Sequence, residues 1–344
     1  MPLTQDQVLE ALKRVKYPGF SRDIVSFGIV QQIVLQDKRC SVNMTLTTGD
    51  TKIADQIRKE SEEVLRDLDG LESIVVNVNA HAAVPAGGAF QQNQVKGIRY
   101  AVAVASGKGG VGKSTVSVNL AIALSQLGAR VGLMDCDIYG PSIPLMMNVK
   151  TPPTAENDKL IPITSYGVKL MSMGFLMDPD APVIWRGPMI TRTIQQFVHN
   201  VEWGELDYLV IDLPPGTGDA QLSLCQTLPL SGAVMVTTPQ EVALIDVRKA
   251  AAMFHKVNVP ILGVVENMSY FLCPSDQKRY DIFGEGGGQR EATRLNVPLF
   301  GQIPLEIAAR QGGDTGVPLM VSGAKSTAGK AFLQVAENLR KRLP

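Results

Sequence analysis

The chain has 344 residues, long enough for two domains, and its 33 Lys and Arg match its 33 Asp and Glu. That composition excludes a disordered chain, and the charge balance gives no global field toward nucleic acid or an acidic membrane. The four cysteines, Cys40, Cys136, Cys225 and Cys273, are scattered, which argues against a disulfide framework and for reduced thiols.

The first residues, Met1-Pro2-Leu3-Thr4-Gln5, lack the basic stretch and apolar run of a secretory signal. Apolar runs such as 100–105 and 233–236 fall far short of the ~20 residues a membrane span needs. A cytoplasmic location is expected, with no membrane partner and no nucleic acid.

Residues 1–80 read as a small α/β domain. Thr4 and Gln7 are spaced as a capping box ahead of Val8, Leu12 and Val15, which share one helical face. Strands follow over 29–35 and 40–46; in the second, Val42, Met44 and Leu46 alternate with polar residues. A second helix carries Ile53, Ile57, Val64 and Leu68 on one face and stops near Gly70. Ile74, Val76 and Val78 alternate as a third strand.

Residues 81–97 have the composition of an exposed linker. Over 98–344, apolar strands alternate with helices, the pattern of an α/β fold whose mostly parallel sheet carries helices on both faces. The strands fall at 100–105, 130–134, 168–173, 208–211, 233–236, 261–265 and 299–303, with a closing helix over 326–343. Phe332, Val335, Ala336, Leu339 and Leu343 share one face of that helix, a stripe that suits core packing or, alternatively, a membrane surface. Met146, Met147, Met171, Met173, Met177 and Met189 fill core gaps or line an adaptable groove.

The strand over 100–105 runs straight into Gly107-Lys108-Gly109-Gly110-Val111-Gly112-Lys113-Ser114-Thr115, and a helix carrying Val116, Leu120, Ala123 and Leu124 follows. This is a Walker A loop in its strand–loop–helix setting: glycines turn backbone N–H groups onto phosphates at a helix N-terminus. ATP and Mg2+ are the expected ligands. Lys113 faces the β- and γ-phosphates and Ser114 offers its hydroxyl to magnesium. The segment 208–212, Tyr-Leu-Val-Ile-Asp, is a Walker B strand whose Asp212 serves the metal. Leu133-Met134-Asp135-Cys136-Asp137 ends another strand at the edge where ligands bind in such sheets, and a carboxylate there can orient or deprotonate a water.

Lys108, early in Lys-Gly-Gly-x-Gly-Lys-Ser, makes the loop resemble the deviant Walker A of MinD- and partition-type ATPases. The resemblance implies that Lys108 reaches across a homodimer to the second nucleotide. It also assigns water activation to Asp137 in switch I and makes residues 213–219, Leu-Pro-Pro-Gly-Thr-Gly-Asp, switch II. Further motifs narrow it: Asp135 to Ser142, Trp185-Arg186-Gly187-Pro188, Glu266-Asn267-Met268-Ser269-Tyr270 and the glycine-rich 282–288 together resemble the Mrp/ApbC family of iron–sulfur carriers.

That family resemblance implies a slowly turning over ATPase that acts as a nucleotide-gated homodimer. It carries iron–sulfur clusters, of the 4Fe-4S type, from scaffold proteins to apoprotein clients. Asn267 would contact adenine, which suits an amide offering both donor and acceptor. Such carriers usually show Cys-x-x-Cys, paired across the dimer to give four thiolates for a cluster. Here the segment reads Cys273-Pro274-Ser275-Asp276, leaving Cys273 as the single thiol ligand, with Asp276 at the second position.

The first domain resembles a MIP18-like module, on residues 22–30 and Thr45-Leu46-Thr47-Thr48. It lacks the cysteine usual after that strand and reads Gly49-Asp50-Thr51-Lys52, so docking to partners is the expected role. Two rival readings are a MinD- or partition-type positioning ATPase and a nucleotide-dependent assembly factor that binds clients but holds no cluster.

Overall fold

The computed structural model describes residues 4–16, 18, 23–25, 29–36, 39–46, 51–68, 71, 73–80, 95, 97–138, 140–156, 159–176 and 187–344. Trp185 and Arg186 of the carrier-like motif, Met177 and most of 81–97 lie outside these residues. The chain divides into two compact units, Met1–Phe90 and Gln91–Pro344.

The first unit runs α1 (Gln5–Leu12), β1 (Val30–Gln36), β2 (Arg39–Leu46), α2 (Thr51–Arg66) and β3 (Ser73–Ala80). The expected capping box forms: Thr4 Oγ1 accepts the Gln7 N–H at 3.4 Å, and the Thr4 N–H donates to Gln7 Oε1 at 3.0 Å. Together they satisfy two of the donors a helix start leaves free. The strand β2 pairs antiparallel with β1 and parallel with β3, the latter through the α2 crossover. Val8, Leu12, Val42, Met44, Ile57, Leu65 and Val76 form its core, and Val64 and Leu68 pack at that core's edge.

The second unit is built on an eight-stranded sheet. Its elements are β4 (Ile98–Ser106), α3 (Lys113–Gln126), β5 (Val131–Asp135), α4 (Ile143–Met146), β6 (Thr154–Glu156), β7 (Lys159–Ile161), β8 (Ile163–Ser165), β9 (Val168–Ser172), α5 (Gly187–His199), β10 (Leu206–Asp212) and α6 (Asp219–Thr227). They continue as β11 (Gly232–Thr237), α7 (Glu241–Lys256), β12 (Ile261–Glu266), β13 (Phe271–Leu272), β14 (Arg279–Tyr280), α8 (Gly287–Arg294), β15 (Leu299–Gln302), α9 (Ile307–Thr315), α10 (Leu319–Ser322) and α11 (Thr327–Arg342). The sheet order is β15-β12-β11-β4-β10-β5-β9-β8, parallel throughout except at the β8 edge.

Because side chains alternate across a strand, the continuous apolar run of β4 feeds two cores. Ala101, Ala103 and Ala105 face α5, α6 and α7 through Phe197, Leu224 and Ala250. Val102 and Val104 face the other layer, with Leu120 and Leu124 of α3 and Phe332, Val335 and Leu339 of α11. The apolar stripe of the last helix is thus a core face, not a membrane face. Met171 and Met173 lie in the first core and Met146 and Met147 in the second. No helix among the described residues is long and apolar enough to cross a membrane.

The antiparallel edge strand β8 is an addition to the seven strands legible from periodicity. It folds back on β9 through Tyr166 and Gly167, at φ +49° and +77°. Two consecutive positive φ values suit a tight hairpin, and a tyrosine at the first position hides the signal.

Gln91–Pro344 contains its own sheet and both of its cores, so a chain beginning at Gln91 is expected to fold and bind nucleotide by itself. Circular dichroism melting and titration with an ATP analogue check this. Insolubility of the fragment would show that the first unit completes the second.

Candidate functional site

The parallel sheet sends the C-terminal ends of β4, β5, β10 and β12 to one edge, and that edge collects the polar residues singled out in the sequence. Gly107 to Gly112 form the turn between β4 and α3, and Lys113 opens α3. Gly110 and Gly112 have φ of +82° and +79°, which only glycine adopts freely. Gly107 is pinned differently: a Cβ there would lie 2.1 Å from the Asp246 backbone of α7.

Asp212, the last residue of β10, is fully buried and accepts three hydrogen bonds from α3. Lys113 Nζ and Ser114 Oγ both reach its Oδ2 at 2.7 Å, and Ser117 Oγ reaches Oδ1 at 2.6 Å. Lys113 also lies 3.6 Å from Asp137 Oδ2. Lys113, Ser114, Asp137 and Asp212 therefore form one cluster. The Ser114 hydroxyl and the Asp212 carboxylate present oxygen donors side by side, the donor type that magnesium takes.

Lys108 is only half-buried, and among the described residues its ammonium makes no ion pair. Thr115 follows Ser114 in the first turn of α3. Asn267, next after β12, is buried at the other side of the loop, where its Nδ2 donates to the Val111 carbonyl at 2.9 Å. The fit there is close: a Cβ on Gly112 would stand 2.2 Å from that nitrogen.

Two contacts escape motif reading. Ser117 lies one turn beyond Ser114 and grips the second oxygen of Asp212. Asp135 is buried beside Asp212; burial, and then the Asp212 charge, push its carboxyl up to about 7. Its oxygens accept the Ser172 hydroxyl at 2.8 Å and the Asp137 N–H at 3.1 Å, so it fixes the backbone that carries Asp137.

Cys273 lies outside this cluster, at the turn between β13 and β14. Its N–H donates to the Lys278 carbonyl and its Sγ sits 3.1 Å from Ser275 Oγ. Asp276 Oδ1 accepts the Lys278 N–H in the same turn. Cys40, Cys136 and Cys225 are buried. Burial pushes the Cys136 thiol up and that of Cys225 up to about 12, so neither is disposed to supply a thiolate. Cys273 alone is accessible.

A sequence profile described as NUBPL iron-transfer P-loop NTPase matches residues 97–340, and one described as iron-sulfur cluster assembly protein matches residues 5–78. An iron-sulfur cluster carrier protein of Synechocystis sp. is 45% identical over 345 residues, covering 98% of this chain and 97% of that protein. The mouse iron-sulfur cluster transfer protein NUBPL is 46% identical over 281 residues, covering 81% of this chain and 88% of its own length. Among solved structures, an Archaeoglobus fulgidus nucleotide-binding protein in complex with ADP superposes with a TM-score of 0.62 at 38% identity, covering 70% of this chain and 95% of that one. The cell division ATPase MinD of Pyrococcus furiosus follows at 0.55 and 25% identity, over 71% of this chain and 99% of that one. The deviant Walker loop, the carboxylates at the ends of β5 and β10, and a profile spanning most of the chain agree: this chain belongs to the NUBPL iron-transfer P-loop NTPase family of iron–sulfur cluster carriers.

Proposed function

We propose that this protein is a slow ATPase that works as a nucleotide-gated homodimer, taking iron–sulfur clusters from scaffold proteins and handing them to apoprotein clients in a reducing, cytoplasm-like compartment. The observation that carries the nucleotide half is the cluster of Lys113, Ser114, Asp137 and Asp212 beside a loop whose Gly110 and Gly112 take positive φ. The Archaeoglobus relative's complex with ADP supports the same ligand class for this loop.

In this reading Gly107, Lys108, Gly109, Gly110, Val111, Gly112, Lys113, Ser114 and Thr115 bind the phosphates. Lys113 turns from Asp212 to the β- and γ-phosphates. Magnesium, held by Ser114 and Asp212, supplies charge neutralisation on the phosphate oxygens when bound. Asp137 orients the attacking water and receives its proton as the bond to the γ-phosphorus forms and the bond to the bridging oxygen breaks. Lys108 of a second copy would meet the charge that develops on the transferring group. Asn267, whose Nδ2 already holds the loop, would present its remaining amide oxygen toward adenine.

The cargo half rests on Cys273. Iron in clusters favours thiolate ligands, and two copies supply only two of the usual four, so Asp276 or small thiols complete the set. Bound iron is then held weakly, which suits transfer. The two domains are read as 1–80 and 98–344, joined by 81–97, with the first serving as a docking module.

Lys113→Ala should abolish tight binding of a non-hydrolysable ATP analogue. Lys108→Ala should leave affinity nearly unchanged while depressing turnover by about 100-fold or more, the effect of removing one preorganised transition-state donor. Calorimetric titration and phosphate release measure the two effects. Equal loss of affinity in both variants would remove the role of Lys108 across the dimer.

Under anaerobic reconstitution, wild type should take up iron and sulfide, and Cys273→Ser should not. Asp276→Cys should raise occupancy and cluster lifetime. If wild type and Cys273→Ser both stay free of iron, the protein is instead a nucleotide-dependent assembly factor that holds client proteins.

A further inference from the structure

Glu266 is the last residue of β12, has no exposed surface, and belongs to none of the roles described above. A carboxylate in such a place requires hydrogen-bond donors, because an unpartnered buried charge is strongly destabilising. It has three among the described residues, and no cation. Oε1 accepts from Ser269 Oγ at 2.6 Å and from Gln302 Nε2 at 2.7 Å; Oε2 accepts the Gly288 N–H.

The placement of these donors is the informative part. Ser269 begins the excursion that leaves the sheet after β12, and Gly288 lies in the first turn of α8, where that excursion ends. The residues between them form the β13–β14 hairpin, with Cys273 at its turn. A single carboxylate therefore clamps both feet of the Cys273-bearing segment, and it ties them through Gln302 to the neighbouring strand β15. The approach is close enough to require glycine: a Cβ on Gly288 would meet Glu266 Cβ at 2.7 Å.

Glu266 is also bonded in sequence to Asn267, whose amide holds the Val111 carbonyl of the phosphate loop. From there the chain is anchored step by step. The Asn267 N–H donates to Thr237, the Ser269 N–H to Ile303, and the Leu305 N–H to Tyr270. Phe271 then bridges to Leu305, and the Cys273 N–H closes the hairpin on Lys278. Six residues separate Glu266 from Cys273, and all but Met268 carry a backbone bond or strand pairing: Asn267 and Ser269 to the ends of β11 and β15, Tyr270 and Phe271 to Leu305, and Phe271 and Leu272 to β14.

We propose that Glu266 is a positioning residue that couples the nucleotide site to Cys273, so that nucleotide binding at the phosphate loop alters the accessibility of that thiol. A shift of Val111 as the loop closes on phosphates moves Asn267, and the Glu266 clamp transmits that shift to both feet of the hairpin. Coupling of this kind is reciprocal, so occupancy at Cys273 feeds back on nucleotide affinity by the same factor. The inference rests on the nucleotide site proposed above and needs no bound cluster.

The test uses the full chain without iron. Iodoacetamide labelling of Cys273 is followed by peptide mass, which resolves it from the three buried thiols, and analogue binding is measured in the same samples. In wild type, saturation with Mg2+ and a non-hydrolysable ATP analogue should change the labelling rate about fivefold or more, the lower end of ordinary allosteric coupling. Ser269→Ala and Glu266→Gln should both bind the analogue and show nearly the same rate with and without it. The glutamine variant opposes an amide donor to one of the three donors, and the alanine variant frees one foot alone. Ser269→Ala carries the test if Glu266→Gln fails to fold. A wild type that binds the analogue with no change in labelling, or a Ser269→Ala variant that keeps the full change, overturns the coupling. A wild type that binds no analogue overturns the nucleotide reading and the coupling together, while failure to take up iron touches neither.

Discussion

The buried carboxylate of Asp212 is the constraint on which the nucleotide edge of this protein depends. It ends the central strand β10 with no exposed surface, and a lone carboxylate there would destabilise the fold by several kcal/mol. Lys113, Ser114 and Ser117 of α3 neutralise and satisfy it together. That requirement locks the start of α3 onto the end of β10. Since β4 lies beside β10 in the sheet, the chain must pass from Ser106 to Lys113 in a tight turn. Positive φ at Gly110 and Gly112 makes the turn feasible. A phosphate cradle is what results from closing that turn over a paired lysine.

The same pairing prepares the site for exchange. Lys113 is held by Asp212 and lies near Asp137, so in the proposed reading a bound nucleotide's phosphates compete with carboxylates for a lysine already in place. Asp135, pushed up to about 7 by burial and by Asp212, keeps a third carboxyl nearby without adding a full third charge at neutral pH. On the far side of the loop, Asn267 and Glu266 carry the framework outward to the hairpin of Cys273. The glycine-rich loop and the Cys273 turn thus sit on separate elements that share one buried polar frame.

Much of this was legible in the sequence because the governing physics is local. Periodicity placed the seven parallel strands and the last helix. The spacing of Thr4 and Gln7 announced a capping box, and the phosphate loop declared itself in its strand–loop–helix context. What stayed hidden depends on contacts between residues far apart in the chain. Ser117 reads as an ordinary helical serine until Asp212 is placed beside it, and Asp135 as a neighbour of Asp137 until Ser172 and the second carboxylate surround it. Glu266 is a strand-end acid like many others until Ser269, Gly288 and Gln302 converge on it. The β8 edge was missed for a local reason: three residues are too few for a periodic signal, and Tyr166 occupies a turn position where asparagine or glycine is the usual mark.

The proposed control of cluster release by nucleotide is tested most directly by loading the full chain with cluster anaerobically and following transfer to an apo-ferredoxin-type acceptor by the acceptor's returning absorbance. Saturating Mg2+ and ATP should change the transfer rate by at least about fivefold, as for ordinary coupled sites. Transfer at the same rate with and without nucleotide would contradict nucleotide gating.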